Sequence, residues 1–275
     1  MVNKHQMKKP PEDQIKIYHE PKFVRPTLIA AWPGISNVAL EATSYLKEKL
    51  GAEELAEIES SSFFELGGVF VEKNLVQPPR LPQNKFYYWK RKGKGRETEG
   101  DLIIFIGESQ PTSKSREFAN KILDLSQGFG VEEVYTFAAA LISQFSEQPR
   151  VWAAATDPEQ LTELEKQGLV LRGDFYIAGM NGLLLAVARE KGMKATCLLG
   201  ETPRYLSEMR NPMASKAVLE VLTRLLKVEI DMRELDEMAE QASQQIDEII
   251  KESRRQFIKD FTVPLWERSD EEEKG

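Results

Sequence analysis

Short apolar runs alternate along the chain with segments whose apolar residues recur every three or four positions. The run TLIAAWPG, residues 27–34, predicts a buried strand followed by a turn. The next segment, residues 36–51, has apolar residues at helical spacing, and its last residue, Gly51, is of the type that commonly follows a helix end. The pattern therefore begins with a strand, a turn and a helix.

The same alternation continues to about residue 230 and determines the predicted fold class. DLIIFIGES, VEEVYTFAAALI and RVWAAATD are typical of buried strands, and helical segments follow the first and the last of them. Residues 176–203 predict a strand, a helix and a further strand. Strands that alternate with helices require crossover connections, so we predict an α/β fold with a mostly parallel sheet covered on both faces.

Residues 63–88 depart from this alternation. They contain several prolines, a Gly-Gly pair and few helix signals, and they predict a hairpin or loop excursion from the sheet. The segment KFYYWKRKGKGRE, residues 85–97, predicts a hairpin with an aromatic strand and a Lys-Gly-Lys-Gly tip. A surface for single-stranded nucleic acid is the alternative interpretation of its basic and aromatic residues.

A long helix with one narrow apolar stripe is predicted for residues 231–262. Such a stripe packs either on its own domain or against another copy or another protein. Residues 1–22 predict a flexible flank, residues 23–230 the α/β domain, and residues 263–275 a disordered acidic tail. The stripe consists of Leu235, Met238, Ala242, Ile246, Ile249 and Phe257.

The composition narrows the class of protein. The chain has 275 residues, of which 41% are hydrophobic and 29% charged, as in ordinary globular proteins. Its net charge of -7 opposes the attraction to phosphate backbones on which nucleic-acid binding depends. A single cysteine, Cys197, rules out an internal disulfide, and no apolar stretch has the length of a membrane span. We therefore predict a cytoplasmic protein without a nucleic-acid or membrane partner.

The turn Gly-Met-Asn-Gly, residues 179–182, is a candidate for ligand chemistry. Its glycines lack the spacing of a dinucleotide-binding turn, no Walker loop is present, and Asn181 is not a nucleophile. Both histidines, His5 and His19, lie in the predicted flank, so histidine-based catalysis and a histidine-rich metal site are not expected. We predict no catalytic residue, no metal and no cofactor. The turn either holds an anion at the helix N-terminus or packs against the sheet.

Polar side chains after the predicted strands form a second candidate, because sites in open α/β sheets lie at the carboxyl ends of strands. Glu108, Asp157 and Glu201 each follow an apparent strand. Acidic residues also cap helices, and Asp157-Pro158 has the sequence of a helix N-cap. The residues of the turn and of this pocket are Gly34, Asn37, Glu108, Gly179, Asn181, Gly182 and Glu201.

Several longer motifs stand in a characteristic order. GMNGLL at residues 179–184 is followed by LLGE at 198–201, Asn-Pro at 211–212 and VLEVL at 218–222. LIAAWPGISNVALEATSYL, DLIIFIGESQP and GVEEVYTFAAAL precede them. Together these motifs resemble the proteasome assembly chaperone family in its archaeal and bacterial branch, over roughly residues 25–240. Some members are labelled ATP-grasp enzymes, although this chain has no nucleotide-binding pattern.

The resemblance implies a three-layer α/β domain similar to the purine nucleoside phosphorylase type, assembled as a homo-oligomer. We predict a non-catalytic, proteasome-assembly-chaperone-like protein whose partners are other copies of itself and proteasome α-type subunits or other protein subunits. The helix from residue 231 is the expected contact element, with Ile246 and Ile249 as its central residues. The alternative is a small-molecule-binding protein or enzyme of nucleoside phosphorylase or hydrolase type, with a pocket at the strand ends.

Overall fold

Residues 15–59, 61–93, 99–171 and 173–262 are described by the computed structural model, and they alternate between strands and helices. The strands are β1 (Ile15–Ile17), β2 (Thr27–Ala31), β3 (Glu53–Ile58), β4 (Val71–Glu72), β5 (Leu75–Val76), β6 (Asn84–Trp89), β7 (Leu102–Gly107), β8 (Glu133–Ile142), β9 (Val151–Ala155) and β10 (Lys194–Pro203). The helices are α1 (Val38–Leu50), α2 (Ser115–Gly128), α3 (Pro158–Lys166), α4 (Gly179–Glu190), α5 (Pro212–Leu225) and α6 (Arg233–Thr262).

Eight of these strands form one mixed sheet in the order β1-β3-β6-β7-β2-β8-β10-β9, and β4 and β5 form a separate hairpin. The central strands β7, β2, β8 and β10 are parallel. The pairs outside this centre are antiparallel. The predicted α/β class is confirmed, and the antiparallel pairs lie at the two sides of the sheet.

Helices cover both faces of the sheet, which gives the three predicted layers. Along β2, Leu28 and Ala30 pack in the cluster that contains α2 and α4 residues. Ile29 and Ala31 pack in the cluster that contains α1 and α5 residues. Because β2 is buried on both faces, its sequence is apolar from Leu28 to Ala31 and lacks the alternation of a half-exposed strand.

Two helices begin or end where the residue types in the sequence predict it. α1 ends at Gly51, which has a φ of 60° and takes the left-handed conformation that glycine adopts without strain. Asp157 is the N-cap of α3: its carboxylate accepts hydrogen bonds from the backbone N–H groups of Glu159 (2.7 Å) and Gln160 (3.4 Å). Asp157 is thus the helix cap that its sequence indicates.

The strand predicted at the start of residues 176–203 is wrong, because residues 173–178 form no strand before α4. Both edges of β10 are occupied, one by β8 and the other by β9. At the outer edge of β9, Val170 forms an isolated bridge with Trp152, and residues 173–178 do not extend that pairing. Among the described residues, no helix combines the length and the apolar character needed to cross a membrane.

Part of the predicted N-terminal flank forms a strand. Ile15–Ile17 pair with Ala56–Ile58 of β3 and form one edge of the large sheet. Tyr18 Oη donates to Glu57 Oε2 at 2.7 Å, and Lys16 forms an ion pair with Glu59. Residues 1–14 and the predicted acidic tail, residues 263–275, lie outside the described residues.

Candidate functional site

The carboxyl ends of the parallel strands lie along one edge of the sheet, where the sequence predicts a pocket. Glu108 directly follows β7, whereas Glu201 lies within β10 and not beyond its end. β2 and β8 separate these two strands, and three inter-strand spacings amount to about 14 Å. The structure therefore does not bring the two predicted carboxylates into one site.

Asn181, in the first turn of α4, connects this helix to β8 and to Trp32, the residue after β2. Its Oδ1 accepts a hydrogen bond from the Trp32 N–H (3.1 Å), and its Nδ2 donates to the Trp32 carbonyl (3.3 Å). Thr136 Oγ1 of β8 donates to the Asn181 carbonyl at 2.8 Å. The Asn181 side chain is 4% exposed, and Gly34 lies directly beside its amide. Its polar atoms are thus occupied by bonds within the chain.

The N-terminus of α4 is bonded to a side chain of the protein. Gln110 Oε1 accepts a hydrogen bond from the Met180 N–H at 2.9 Å, and Gln110 Nε2 donates to the Pro33 carbonyl at 2.7 Å. A Cβ at Gly182 would lie 2.1 Å from the Ile177 carbonyl oxygen, and Gly179 has a φ of 71°. The glycines therefore allow a close turn that Gln110 holds in place. Nothing in the sequence marks Gln110 for this role.

Glu201 is 3% exposed, and both of its carboxylate oxygens have partners. Arg150 donates to it from Nη2 (2.8 Å), from Nε (3.1 Å) and from its backbone N–H (3.2 Å). The Trp152 indole adds a bond of 2.9 Å. Burial by itself would raise the pKa of Glu201, but the bonds from Arg150 and Trp152 outweigh it and hold the pKa below the usual carboxyl value. This is a satisfied ion pair that connects β10 with β9.

Glu108 and Asn37 are more exposed. Glu108 accepts hydrogen bonds from Arg80 Nη2 (2.5 Å) and from the Gln83 N–H (2.8 Å). Burial by itself would raise the pKa of Glu108, but these bonds outweigh burial and lower the pKa. Asn37 has a φ of 57° and donates its N–H to the Gly34 carbonyl at 2.9 Å. Its side chain lines a cavity of about 240 Å³ between α1 and α6.

Cys197 and the acidic residues offer little reactive chemistry. The Cys197 thiol is fully buried, and burial raises its pKa to about 12. A thiol of this kind is a poor nucleophile. In the part of the chain that the structure describes, no three His, Cys, Asp or Glu side chains are grouped so that they could hold a metal ion.

Some residues of the apolar stripe of α6 pack on their own domain, and others are exposed to solvent. Leu235 is fully buried in the main core, and Ile246 is 4% exposed and packs with Leu206 and Met213. Ala242 is half-buried, whereas Met238 and Ile249 are exposed. Ile246 is covered within the chain by Met213 of α5 and by Leu206, so the side chains of this stripe that solvent reaches are Met238 and Ile249. The side chain of Phe257 lies outside the described residues.

The β4–β5 hairpin exposes a larger apolar surface. Every residue from Glu65 to Val76 is exposed, and Lys73 and Asn74 at the tip have φ values of 49° and 65°, as a two-residue type I′ turn requires. The apolar residues stand at consecutive positions, so both faces of the ribbon are apolar. That pattern was available in the sequence as VFV and LV around a Lys-Asn turn. The exposed apolar side chains are Leu66, Val69, Phe70, Val71, Leu75 and Val76.

The base of this hairpin is anchored. Phe63 and Phe64 are buried against Phe118 of α2, with ring centroids 4.9 and 5.8 Å apart. The Glu65 N–H donates to Thr112 Oγ1 at 2.9 Å, and the Thr112 N–H donates to the Phe63 carbonyl at 2.9 Å. The exposed ribbon is thus a projection from a fixed point beside the carboxyl ends of the strands.

The chain is similar in sequence to a protein family and to known proteins. The sequence profile of the PAC2 family matches residues 28–250. An uncharacterised protein of Methanocaldococcus jannaschii is 28% identical over 230 residues, which are 82% of this chain and 83% of the relative.

Three solved structures share the fold. Pyrococcus furiosus PbaB, an archaeal proteasome activator, has a TM-score of 0.73 and 34% identity over 86% of this chain and 98% of its own. P. furiosus PbaA, an archaeal homolog of proteasome-assembly chaperone, has a TM-score of 0.64 and 26% identity over 88% of this chain and 100% of its own. The Mycobacterium tuberculosis proteasome-assembly chaperone homologue Rv2125, at 20% identity and a TM-score of 0.66 over 81% of this chain and 94% of its own, shows the fold alone.

Proposed function

The chain belongs to the PAC2 family, and on that premise we propose that it is a non-catalytic, proteasome-assembly-chaperone-like protein that binds protein subunits. The names of PbaB and PbaA, a proteasome activator and a homolog of proteasome-assembly chaperone, support proteasome subunits as its partners, and we propose the α-type subunits among them. A shared fold does not by itself transfer a function, so the proposal also depends on a surface of this chain.

The observation that carries the proposal is the exposed apolar hairpin. Phe70 is 79% exposed, Leu75 69% and Val76 68%. Contiguous apolar surface of this kind marks protein contacts, whereas small-molecule sites are concave. The six exposed apolar side chains of the hairpin are each more than half exposed. Covering them contributes on the order of 6 kcal/mol. A two-stranded ribbon is also marginal in water by itself and gains stability when a partner covers it.

The strand-end residues give no comparable support to the alternative of a small-molecule enzyme. Asn181 and Glu201 are buried and fully bonded within the chain, and Gln110 occupies the N-terminus of α4. We further propose that copies associate through the exposed side of α6, where Met238 and Ile249 are open to solvent.

Capture of proteasome subunits by this protein is tested with recombinant α-type subunits of the source organism and three forms of the tagged chain. The variant Phe70→Ser,Val71→Ser removes the central apolar side chains of the hairpin, and Ile249→Ser removes the exposed side chain of α6. We expect the unaltered chain and Ile249→Ser to retain α-type subunits, and the hairpin variant to retain at least tenfold less. Equal retention by the hairpin variant contradicts the role of the hairpin, and no retention by the unaltered chain contradicts the proteasome role.

Self-association is measured on the same proteins by light scattering after size exclusion. Ile249→Ser is expected to lower the mass of the assembly, and the hairpin variant to leave it unchanged. A monomeric unaltered chain would refute self-association without affecting the capture result.

A further inference from the structure

A second surface, on a different side of α6 from the α1 cavity, has different chemistry. Here α5, α6 and the loop after β8 enclose a groove of about 600 Å³, which we call the acidic groove. Its floor is apolar, with Met213 4% exposed and Ala239 7% exposed. The α6 residues that line it run from Asp236 to Ser243, which is about 10 Å along the helix.

The charges of the acidic groove are unbalanced. Four carboxylates line it, from Glu147, Glu220, Asp236 and Glu240, against the single ammonium of Lys216. Lys216 Nζ lies 2.7 Å from Asp236 and 3.6 Å from Glu220. Within the described parts of the chain, Glu147 and Glu240 have no ion-pair partner. The groove thus carries a net charge of 1 - 4 = -3, and two of its carboxylates are available to an incoming cation.

The chemistry of the walls and floor limits the occupant. Anionic ligands are repelled, and a divalent ion would need several oxygens at about 2.4 Å, a grouping that the described residues do not offer. Lysine and arginine side chains fit both features, because their aliphatic stems lie on apolar surface while their charged ends reach carboxylates. A length of 10 Å corresponds to two helical turns or to about three residues of extended chain.

We propose that the acidic groove binds a short basic segment of a partner protein, with at least two lysine or arginine side chains that pair with Glu147 and Glu240. The groove recognises the charge of the segment above an apolar floor, so the affinity falls as the salt concentration rises. It does not depend on the hairpin or on the proteasome role, and it adds a second contact of defined chemistry to the protein.

The experiment measures the fluorescence anisotropy of a labelled twelve-residue peptide made of three Lys-Leu-Ala-Lys repeats, at low and at physiological ionic strength. The groove variant is Glu147→Lys,Glu240→Lys. The charge-matched control is Glu237→Lys,Glu248→Lys, which changes two exposed carboxylates of α6 that do not line the groove. Both variants change the net charge of the chain by the same amount, so a general attraction to the acidic protein affects them equally.

We expect saturable binding to the unaltered chain, at least tenfold weaker binding to the groove variant, and a change below about threefold in the control. The neutral variant Glu147→Gln,Glu240→Gln should give an intermediate loss, and equal urea midpoints establish that all forms are folded. The hairpin variant Phe70→Ser,Val71→Ser should bind the peptide normally. Absence of saturable binding to the unaltered chain, or equal losses in the groove variant and the control, would overturn the proposal.

Discussion

Replacement of Asn181 by alanine tests whether the turn that begins α4 is structural. The side chain makes two bonds to the backbone of Trp32, at 3.1 and 3.3 Å, and Trp32 is fully buried. Alanine would leave the Trp32 N–H and carbonyl without these partners in a site that water does not reach. The helix itself should persist, because alanine is the residue that best favours helix formation.

The expected loss follows from the two backbone groups that are left without their bonds. A buried donor or acceptor without a partner costs about 1–3 kcal/mol, and the longer of the two bonds is the weaker. The free energy of unfolding should therefore fall by about 3 kcal/mol, which corresponds to a change of roughly a hundredfold in the unfolding equilibrium.

Urea unfolding followed by tryptophan fluorescence measures this loss, because Trp32 lies at the affected site. Asn120→Ala is the matched control: its amide also donates to a backbone carbonyl, that of Arg116, but on an exposed helix surface. We expect the control to change stability by less than about 0.5 kcal/mol. A loss below about 1 kcal/mol for Asn181→Ala would refute the structural role, and the turn would then become a candidate for ligand binding.

Two further predictions concern ionisable groups. The pKa of Glu201 in the folded chain lies below the ordinary 4.5, so its ion pair stabilises the fold above that pH, and the contribution disappears as the pH falls through the lower folded value. Glu201→Gln should therefore cost about 2 kcal/mol at neutral pH and flatten the acid loss of stability; an unchanged acid profile would contradict this. Cys197, with a pKa of about 12, should not react with Ellman's reagent at about pH 8 until the chain is unfolded in guanidinium; rapid reaction of the native chain would show that the thiol is accessible.

Much of the α/β fold could be predicted because local signals and tertiary packing agree there. The segment after β2 has apolar residues at helical spacing and ends at Gly51, and the structure places α1 there. Asp157-Pro158 specifies a helix start by local bonds alone. Signals of this kind do not depend on which strand becomes the neighbour, so the sequence alone contains them.

The remaining features depend on contacts between distant residues. The segment before α4 resembles a strand, but β8 and β9 occupy both edges of β10, and no local pattern records that occupation. Ile15–Ile17 form a strand because the edge of β3 is available to them. Gln110 reaches α4 across 70 residues of sequence, and Asn181 reaches Trp32 across 149. Position along the chain identifies the strand-end residues, but it does not identify the residues that bond to them.

The stripe of α6 shows a related limit. Leu235, Ile246 and Ile249 are equivalent in the sequence pattern, and only the packing of α5 decides that Ile246 is buried and Ile249 exposed. Periodicity identifies the apolar side of a helix but not its neighbour. The sequence predicts the hairpin as an excursion from the sheet and contains its apolar pattern. The exposure of those apolar side chains depends on the fold, in which β4 and β5 pair only with each other among the described strands.

The position of β2 in the sheet has a consequence for biosynthesis. β2 is complete at Ala31, but its neighbours begin only at Leu102 and Glu133. At about 5–20 residues per second, a ribosome needs about 5–20 s to reach the second of them. During that interval an apolar strand with two unpaired edges emerges into the cell, where it can pair with other chains. We therefore expect the yield of folded protein to fall when translation is slowed or when the factors that shield nascent chains are depleted.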